Sequence, residues 1–332
     1  MPVIECRNLV KEFSAGSGSR LGGGTRRLRA VDSVSIAIAE GETLGLVGES
    51  GCGKTTLGRC LVGLTQPSSG EVLFEGIRVD ELTGNALRSL CRKRQIVFQD
   101  PFASLDPRWR IGAMLEEPLR VHNIVPATER SAELAKLLTD VGLSPEIVNH
   151  FPHEFSGGQR QRIGIARALS VRPRFLIADE PVSALDVSVR AQILNLLVRL
   201  QSERNLAQLF ITHDLGAVKH VSRRVAVMYL GSIVEEAPTD ELFDNPRHPY
   251  TRTLLDAVPR AGGARTHAAI GSADEPATSV AAEPHGCKFR NRCAYAQPLC
   301  SDEVPPLASI GVEGHRAACH FARELPAYTA GR

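Results

Sequence analysis

The chain has 332 residues, room for two domains or for one large domain with an appendage. Hydrophobic residues make up 43% and charged residues 23%, the composition of an ordinary soluble globular protein with ample core material. A net charge of +2 and 5% aromatics argue against a protein that coats polyanions or stacks on exposed bases. No apolar run approaches the ~20 residues needed to cross a bilayer, and the N-terminal MPVIECRNLVKEF lacks the apolar stretch of a secretory signal. The expectation is a chain made and kept in a reducing cytosol, where its eight cysteines are not disulfides.

In chain order, residues 3–9 read as a strand, and the Gly/Ser/Arg-rich residues 14–29 as one long polar loop. Val34, Ile36 and Ile38 then alternate up to a turn at Glu40-Gly41, which predicts an antiparallel strand, with a buried strand following over 43–47. A helix is predicted from 55 to 64. The spacing of Leu134, Leu137, Leu138 and Val141 predicts another over 131–141, and further helices are expected over 158–169 and 189–200. Strand-like runs at 175–178 and 208–212 alternate with these, the pattern of an α/β fold with a largely parallel sheet. Residues 260–284, rich in Ala, Gly, Ser and Pro, read as a linker or covering loop leading to a cysteine-rich tail.

Three segments carry chemistry. The first, Gly48-Glu-Ser-Gly-Cys-Gly53-Lys54-Thr55, satisfies GxxxxGK[ST] between a predicted strand and a predicted helix. Its glycines let successive N–H groups curl toward phosphate oxygens, and the helix N-terminus adds its positive end. Lys54 is expected on the β- and γ-phosphates and the Thr55 hydroxyl on Mg²⁺. The second segment is an apolar strand ending in Asp179 and Glu180. Asp179 suits Mg²⁺, and Glu180 suits a water attacking the γ-phosphate. The third, Ser156-Gly157-Gly158-Gln159, opens a helix bearing Arg160 and Arg162. A Ser N-cap is the plain explanation. A second anion cradle makes sense if it closes over a nucleotide held by another subunit.

In this order the segments resemble the ATP-binding subunit of ATP-binding-cassette (ABC) transporters. GESGCGKTT is similar to that family's phosphate loop, FSGGQRQR to its signature and LIADE to its second acidic motif. SALD (Ser183, Ala184, Leu185, Asp186) is similar to its partner-contact loop, Gln99 in VFQDP to its Gln loop, and His213 in FITHD to its switch histidine. The resemblance implies a P-loop NTPase (RecA-like) α/β core with an antiparallel β subdomain and an inserted helical signature subdomain over about 100–168. It implies an ATP-binding domain over 1–245 and a C-terminal extension over 246–332. ATP would lie against Phe13, Gly48, Ser50, Gly51, Cys52, Gly53, Lys54, Thr55 and Thr56, with Mg²⁺ on Thr55, Gln99 and Asp179. Glu180, His213 and Gln99 would serve hydrolysis, and Ser156, Gly157, Gly158 and Gln159 would act on the partner subunit's ATP.

QDPFASLDPR, FPHEFSGGQ, DEPVSALDVSVRAQ, VMYLGSIVE and NPRHPYTRTLL resemble the oligopeptide/dipeptide importer branch, in particular the second of its paired ATPase subunits. This implies a peripheral protein on the cytoplasmic face of the cell membrane. Its implied partners are a sister ATPase, two permease subunits and an extracytoplasmic binding protein. Relatives in this branch also carry nickel, glutathione or sugars. A soluble non-transport cassette and a redox-sensing interaction module are the competing readings. The short stretch from Gln99 to Ser156 and the balanced charge argue against the first, the intact phosphate-site residues against the second.

Cys287, Cys293, Cys300 and Cys319 crowd the tail with 5, 6 and 18 residues between them. Four thiols in a reducing compartment suit a metal or an iron–sulfur cluster, without the CxxC spacing of zinc ribbons; four small buried apolar residues are the bland alternative. The resemblance implies a [4Fe–4S] cluster. His285, His315 and His320 read as solvated polar residues.

Overall fold

The computed structural model describes residues 1–15, 26–79, 81–100, 104–258 and 285–329. The chain opens with β1 (Pro2–Ala15) and β2 (Arg26–Ala39), then β3 (Thr43–Val47) and α1 (Lys54–Val62). β4 (Ser69–Phe74), β5 (Ile77–Arg78), α2 (Gly84–Lys93) and β6 (Arg94–Val97) follow. Next come α3 (Ile111–Val121), α4 (Arg130–Asp140), α5 (Gly157–Ser170) and β7 (Phe175–Asp179). They lead to α6 (Val187–Arg204), β8 (Ala207–Ile211), α7 (Leu215–Val221), β9 (Arg224–Tyr229) and β10 (Ser232–Pro238). α8 (Thr239–Asp244), α9 (Pro249–Asp256), α10 (Leu299–Asp302), β11 (Ala308–Ser309) and β12 (Arg316–Ala317) complete the described chain.

Among the described residues, two sheets form: an antiparallel one in the order β2-β1-β4-β5 and a larger one in the order β11-β12-β10-β9-β3-β8-β7-β6. From β9 to β6 the larger sheet is parallel. Side chains alternate across a strand, and here both faces are apolar. Leu44, Leu46, Phe175, Ile177, Leu209, Ile211, Ala226 and Met228 pack with α1 and the antiparallel sheet. Val47, Leu176, Ala178, Phe210, Val225 and Val227 pack with the helices of 111–206 and beyond. Burial on both faces explains why these strands read as continuous apolar runs rather than alternating ones.

Two expectations change. Residues 14–29 are not one loop: Phe13 pairs with Leu28 and Ser14 with Arg27, so the ends of that stretch lengthen a hairpin instead. The polar composition hid the strand because both faces of the hairpin end are exposed, Phe13, Ser14, Arg27 and Leu28 alike. The tail is also more than an appendage. β12 pairs antiparallel with β10, Glu235 opposite Ala317, and extends the central sheet. His315 is accordingly not solvated: it is fully buried, with Nε2 2.8 Å from Glu235 and Nδ1 3.3 Å from Glu241. The predicted linker over 260–284 lies outside the described residues.

Candidate functional site

The turn from Gly48 to Gly53 leaves the carboxyl end of β3, the usual place for ligands in open α/β sheets. Gly48 (φ 155°) and Gly53 (φ 110°) run against other backbone. A Cβ on Gly48 would strike the Met228 carbonyl, and one on Gly53 the Ala30 carbonyl, so only glycine lets the turn pass. Lys54 is 5% exposed, and its Nζ donates to the carbonyls of Gly48 (2.8 Å) and Glu49 (2.9 Å). Ser50 and Gly51 are exposed, and Cys52 points inward with its thiol pushed up by burial. Thr56 sits half-buried on the first turn of α1.

The acids meet this turn because β7 and β8 are in register, Asp179 opposite Ile211. The Thr55 hydroxyl donates to Asp179 Oδ1 at 3.0 Å. Burial raises the Asp179 pKa, the Thr55 bond opposes that, and the neighbouring Glu180 charge adds to it. Glu180 has φ 46°, a left-handed conformation that an L side chain adopts at a cost. In that turn its N–H donates to the Ile211 carbonyl (2.9 Å), and its carboxylate lies against Gln99 and His213. Gln99 Nε2 donates to Glu180 Oε2 at 3.1 Å, and His213 Nδ1 lies 3.4 Å from the same oxygen.

Thr55 contacts Asp179, and Gln99 and His213 contact Glu180, at the end of the sheet where Lys54 holds the Gly48–Glu49 turn. Among the described residues no set of three or more His, Cys, Asp or Glu groups is gathered into a metal cage. Mg²⁺ needs none here, because it usually takes one or two protein oxygens and completes its shell with phosphate and water. The Thr55 hydroxyl and Asp179 carboxylate suit such a hard ion.

The signature residues open α5. Ser156 caps α5 reciprocally, its Oγ accepting from Gln159 N–H (3.4 Å) while Gln159 Oε1 accepts from Ser156 N–H (3.0 Å). Gly158 lies under α6, where a Cβ would collide with Val189, and Gly157 faces Leu185. Ser183 Oγ donates to the Glu180 carbonyl at 3.1 Å, Ala184 is exposed, and Asp186 stands at the N-cap of α6. Phe13, 42% exposed, lies on the hairpin with Lys11 Nζ 5.1 Å from its ring.

Two family models match this chain: "ABC transporter" over residues 31–183, and "Oligopeptide/dipeptide transporter, C-terminal region" over residues 234–300. The oligopeptide transport ATP-binding protein AppF of Bacillus subtilis is 47% identical over 326 residues, covering 96% of this chain and 97% of its own length. The chain belongs to the ABC transporter family. Its fold agrees: the dimeric, ADP- and Pi-bound post-hydrolysis structure of the ATP-binding cassette MJ0796 matches with a TM-score of 0.63 and 28% identity. That match covers 71% of this chain and 98% of the other. The glutathione import ATP-binding protein GsiA of Shigella dysenteriae is 55% identical over 264 residues, 80% of this chain but 42% of its own length. As a family member, this ABC protein is an ATPase whose hydrolysis is coupled to transport.

The cassette's tail holds residues that the motif reading missed. Tyr250 is fully buried against Tyr229 and Phe289, and its phenolic oxygen accepts the Glu49 N–H at 2.9 Å. Arg292 grips the Glu49 carboxylate with two bonds, 3.0 and 2.8 Å. Tyr250 lies inside the phrase NPRHPYTRTLL, so the segment was singled out, but nothing in it names Glu49 as its target.

Cys287, Cys293, Cys300 and Cys319 line a single cavity of ≈ 20 Å³, walled by Phe289, Tyr295, Pro305 and Phe321. Burial raises the thiols of Cys287, Cys293 and Cys319, the last to about 11. Backbone N–H groups lower them in turn, Tyr295 N–H lying 3.4 Å from Cys293 Sγ. Four thiols line one apolar pocket with backbone N–H groups near sulfur, the donor type that iron–sulfur clusters use. Among the described residues the thiols are not gathered into a metal-binding group. His320 borders the cavity and bonds the Glu303 carbonyl through Nε2 (3.0 Å), and His285 is exposed.

Proposed function

We propose that this chain is the energy-coupling ATPase of an importer for di- and oligopeptides. It would work as one half of a head-to-tail pair with a sister ATPase. The observation that supports the paired arrangement is that Ser156–Gln159 bond within α5 and pack toward α6, whereas Thr55 bonds Asp179, and Gln99 and His213 meet Glu180. One set of residues is assembled around the phosphate loop, while the partly exposed Ser156 turn is engaged in the cap of α5 and lies against Leu185 and Val189. Each turn then has a use only if it closes over the nucleotide of the opposite subunit. The peptide assignment rests on relatives matched end to end, whereas the glutathione protein is matched over less than half its length.

In this reading residues 1–245 form the ATP-binding domain, with its helical part at about 100–168, and 246–332 the extension. ATP lies on Gly48–Thr56 with its base against Phe13. Mg²⁺, held by Thr55, Asp179 and the Gln99 loop, supplies charge neutralisation on the phosphates. Glu180 orients a water and takes its proton as the water oxygen attacks the γ-phosphorus, with ADP as leaving group. Gln99 positions the Glu180 carboxylate, and His213 offers its ring to the γ-phosphate. Ser156–Gln159 and Ser183–Asp186 serve the partner's site. Among the described residues no helix is long and apolar enough to cross a membrane. Permease subunits and an extracytoplasmic receptor therefore come from other chains, and this one docks at the cytoplasmic membrane face. The four cysteines hold a [4Fe–4S] cluster that staples the tail.

The test is affinity purification of the full chain from membranes of its native host. Permease subunits and a second ATP-binding subunit should co-elute, with ATPase activity rising when peptide-loaded receptor is added. A chain that elutes alone, with hydrolysis indifferent to the receptor, overturns the importer reading. For the cluster, anaerobic preparation should give about four irons per chain and a brown protein; a colourless, iron-free one removes it.

A further inference from the structure

The segment from Cys287 to Cys293 reaches across to the nucleotide end of the sheet at two points. Lys288, with an 8% exposed side chain, donates to Asp32 Oδ2 (2.6 Å), Ser232 Oγ (2.6 Å) and the Leu230 carbonyl (2.8 Å). Four residues on, the Arg292 guanidinium lies over the rings of Tyr229 (5.8 Å) and Phe289 (5.7 Å) and takes both Glu49 oxygens. Glu49 is the second residue of the phosphate loop. Tyr250 fixes its N–H, Lys54 fixes its carbonyl, and Arg292 fixes its carboxylate.

The electrostatics pose a problem that Arg292 solves. A carboxylate at the second position of a loop built to receive a triphosphate repels its ligand. A bidentate, ring-stacked guanidinium cancels that charge and holds it still. Ion pairs that keep contact with solvent contribute modestly to folding stability, and the part-buried Arg292 and Glu49 keep 24% and 31% of their side-chain exposure. The consequence therefore falls on ligand binding more than on melting temperature.

We propose that Arg292 is a positioning residue for the phosphate loop. It neutralises and orients Glu49, so the seating of the Cys287–Cys293 segment sets the affinity for nucleotide. This rests on reading 48–55 as the triphosphate cradle.

The experiment is a double-mutant cycle on the purified full chain. MgATP affinity is measured by calorimetry and by KM against kcat, with thermal melts as a folding control. R292A should weaken MgATP ~10-fold with kcat within ~2-fold, by leaving the Glu49 charge unpaired. E49Q alone should bind at least as tightly as the parent. E49Q/R292A should return to within ~3-fold of it, because the repelling charge is gone. Should R292A not fold, R292K and E49Q/R292K read the same cycle, with R292K weakened because a point charge cannot form the fork. An arginine variant with unchanged affinity overturns the proposal. So does a double variant as weak as the arginine single, since packing alone would produce that. K54A separates the two readings. If it binds MgATP normally, the cradle assignment fails; if it loses MgATP while R292A is unaffected, only the clamp fails.

Discussion

Replacing Glu180 with Gln tests the assignment of the base with little steric disturbance. The amide is nearly isosteric with the carboxylate. A single amide atom replaces the Oε2 that both neighbours face, so it can accept from Gln99 (now 3.1 Å away) as oxygen or donate to His213 Nδ1 (now 3.4 Å away) as NH₂, but not both. What is lost is the capacity to take a proton. General-base catalysis contributes typically ~10²–10⁴ in rate, equivalent to about 3–5 kcal/mol of barrier. The same change removes one of the influences that raise the Asp179 pKa. Asp179 must be ionised to hold Mg²⁺, and a raised pKa means that this capacity is lost at a higher pH than for an ordinary carboxylate. E180Q should therefore hydrolyse ATP ~10²–10⁴ times more slowly. It should bind MgATP as tightly as the parent or more so, with the acid limb of binding moved to lower pH. Phosphate release under single turnover, together with calorimetry across the acid range, reads all three. Turnover within ~3-fold of the parent would refute Glu180 as the base. An acid limb unmoved or moved upward would refute the coupling to Asp179.

Asp179→Asn should raise the melting temperature of the nucleotide-free protein at neutral pH while abolishing Mg²⁺-dependent binding. A carboxyl whose folded pKa is raised stabilises the fold while protonated and loses that contribution as pH rises through the folded value. Scanning calorimetry with and without MgATP checks both halves. Gly158→Val should destabilise the protein by about 1–3 kcal/mol through overpacking against Val189, read by urea unfolding. Burial pushes the thiols of Cys6 to about 12 and Cys60 to about 11, so native alkylation at pH 8 should spare both and label the half-buried Cys91 first, mapped by mass spectrometry.

The legible part of the site was the part carried by short contiguous motifs. Gly48 to Thr55 and the strand ending in Asp179 and Glu180 declare themselves because phosphate binding needs fixed residue types at fixed spacing. The β-strand core was equally readable, since β3, β7 and β8 are short apolar runs buried on both faces. The hairpin over β1 and β2 was underestimated because its far end is held mainly by backbone pairing, which leaves no apolar period. The contacts of the tail were out of reach for a different reason. Arg292 lies 243 residues from Glu49, and Tyr250 lies 201 from it. Neither pairing follows from local pattern, because an arginine or tyrosine in a polar stretch is ordinarily just solvated. His315 makes the same point in reverse. Its burial comes from β12 joining β10, a register that two residues of strand cannot announce, and that joining brings it against Glu235. Motifs therefore identify the groups proposed to meet the nucleotide. What holds the loop bearing those groups in place is tertiary, and in this cassette much of it comes from residues 250 and 285–329. A truncation that spared every motif but removed the tail would for that reason leave Glu49 with neither its arginine nor the phenylalanine packing behind Tyr250. It should bind nucleotide less well than the intact chain.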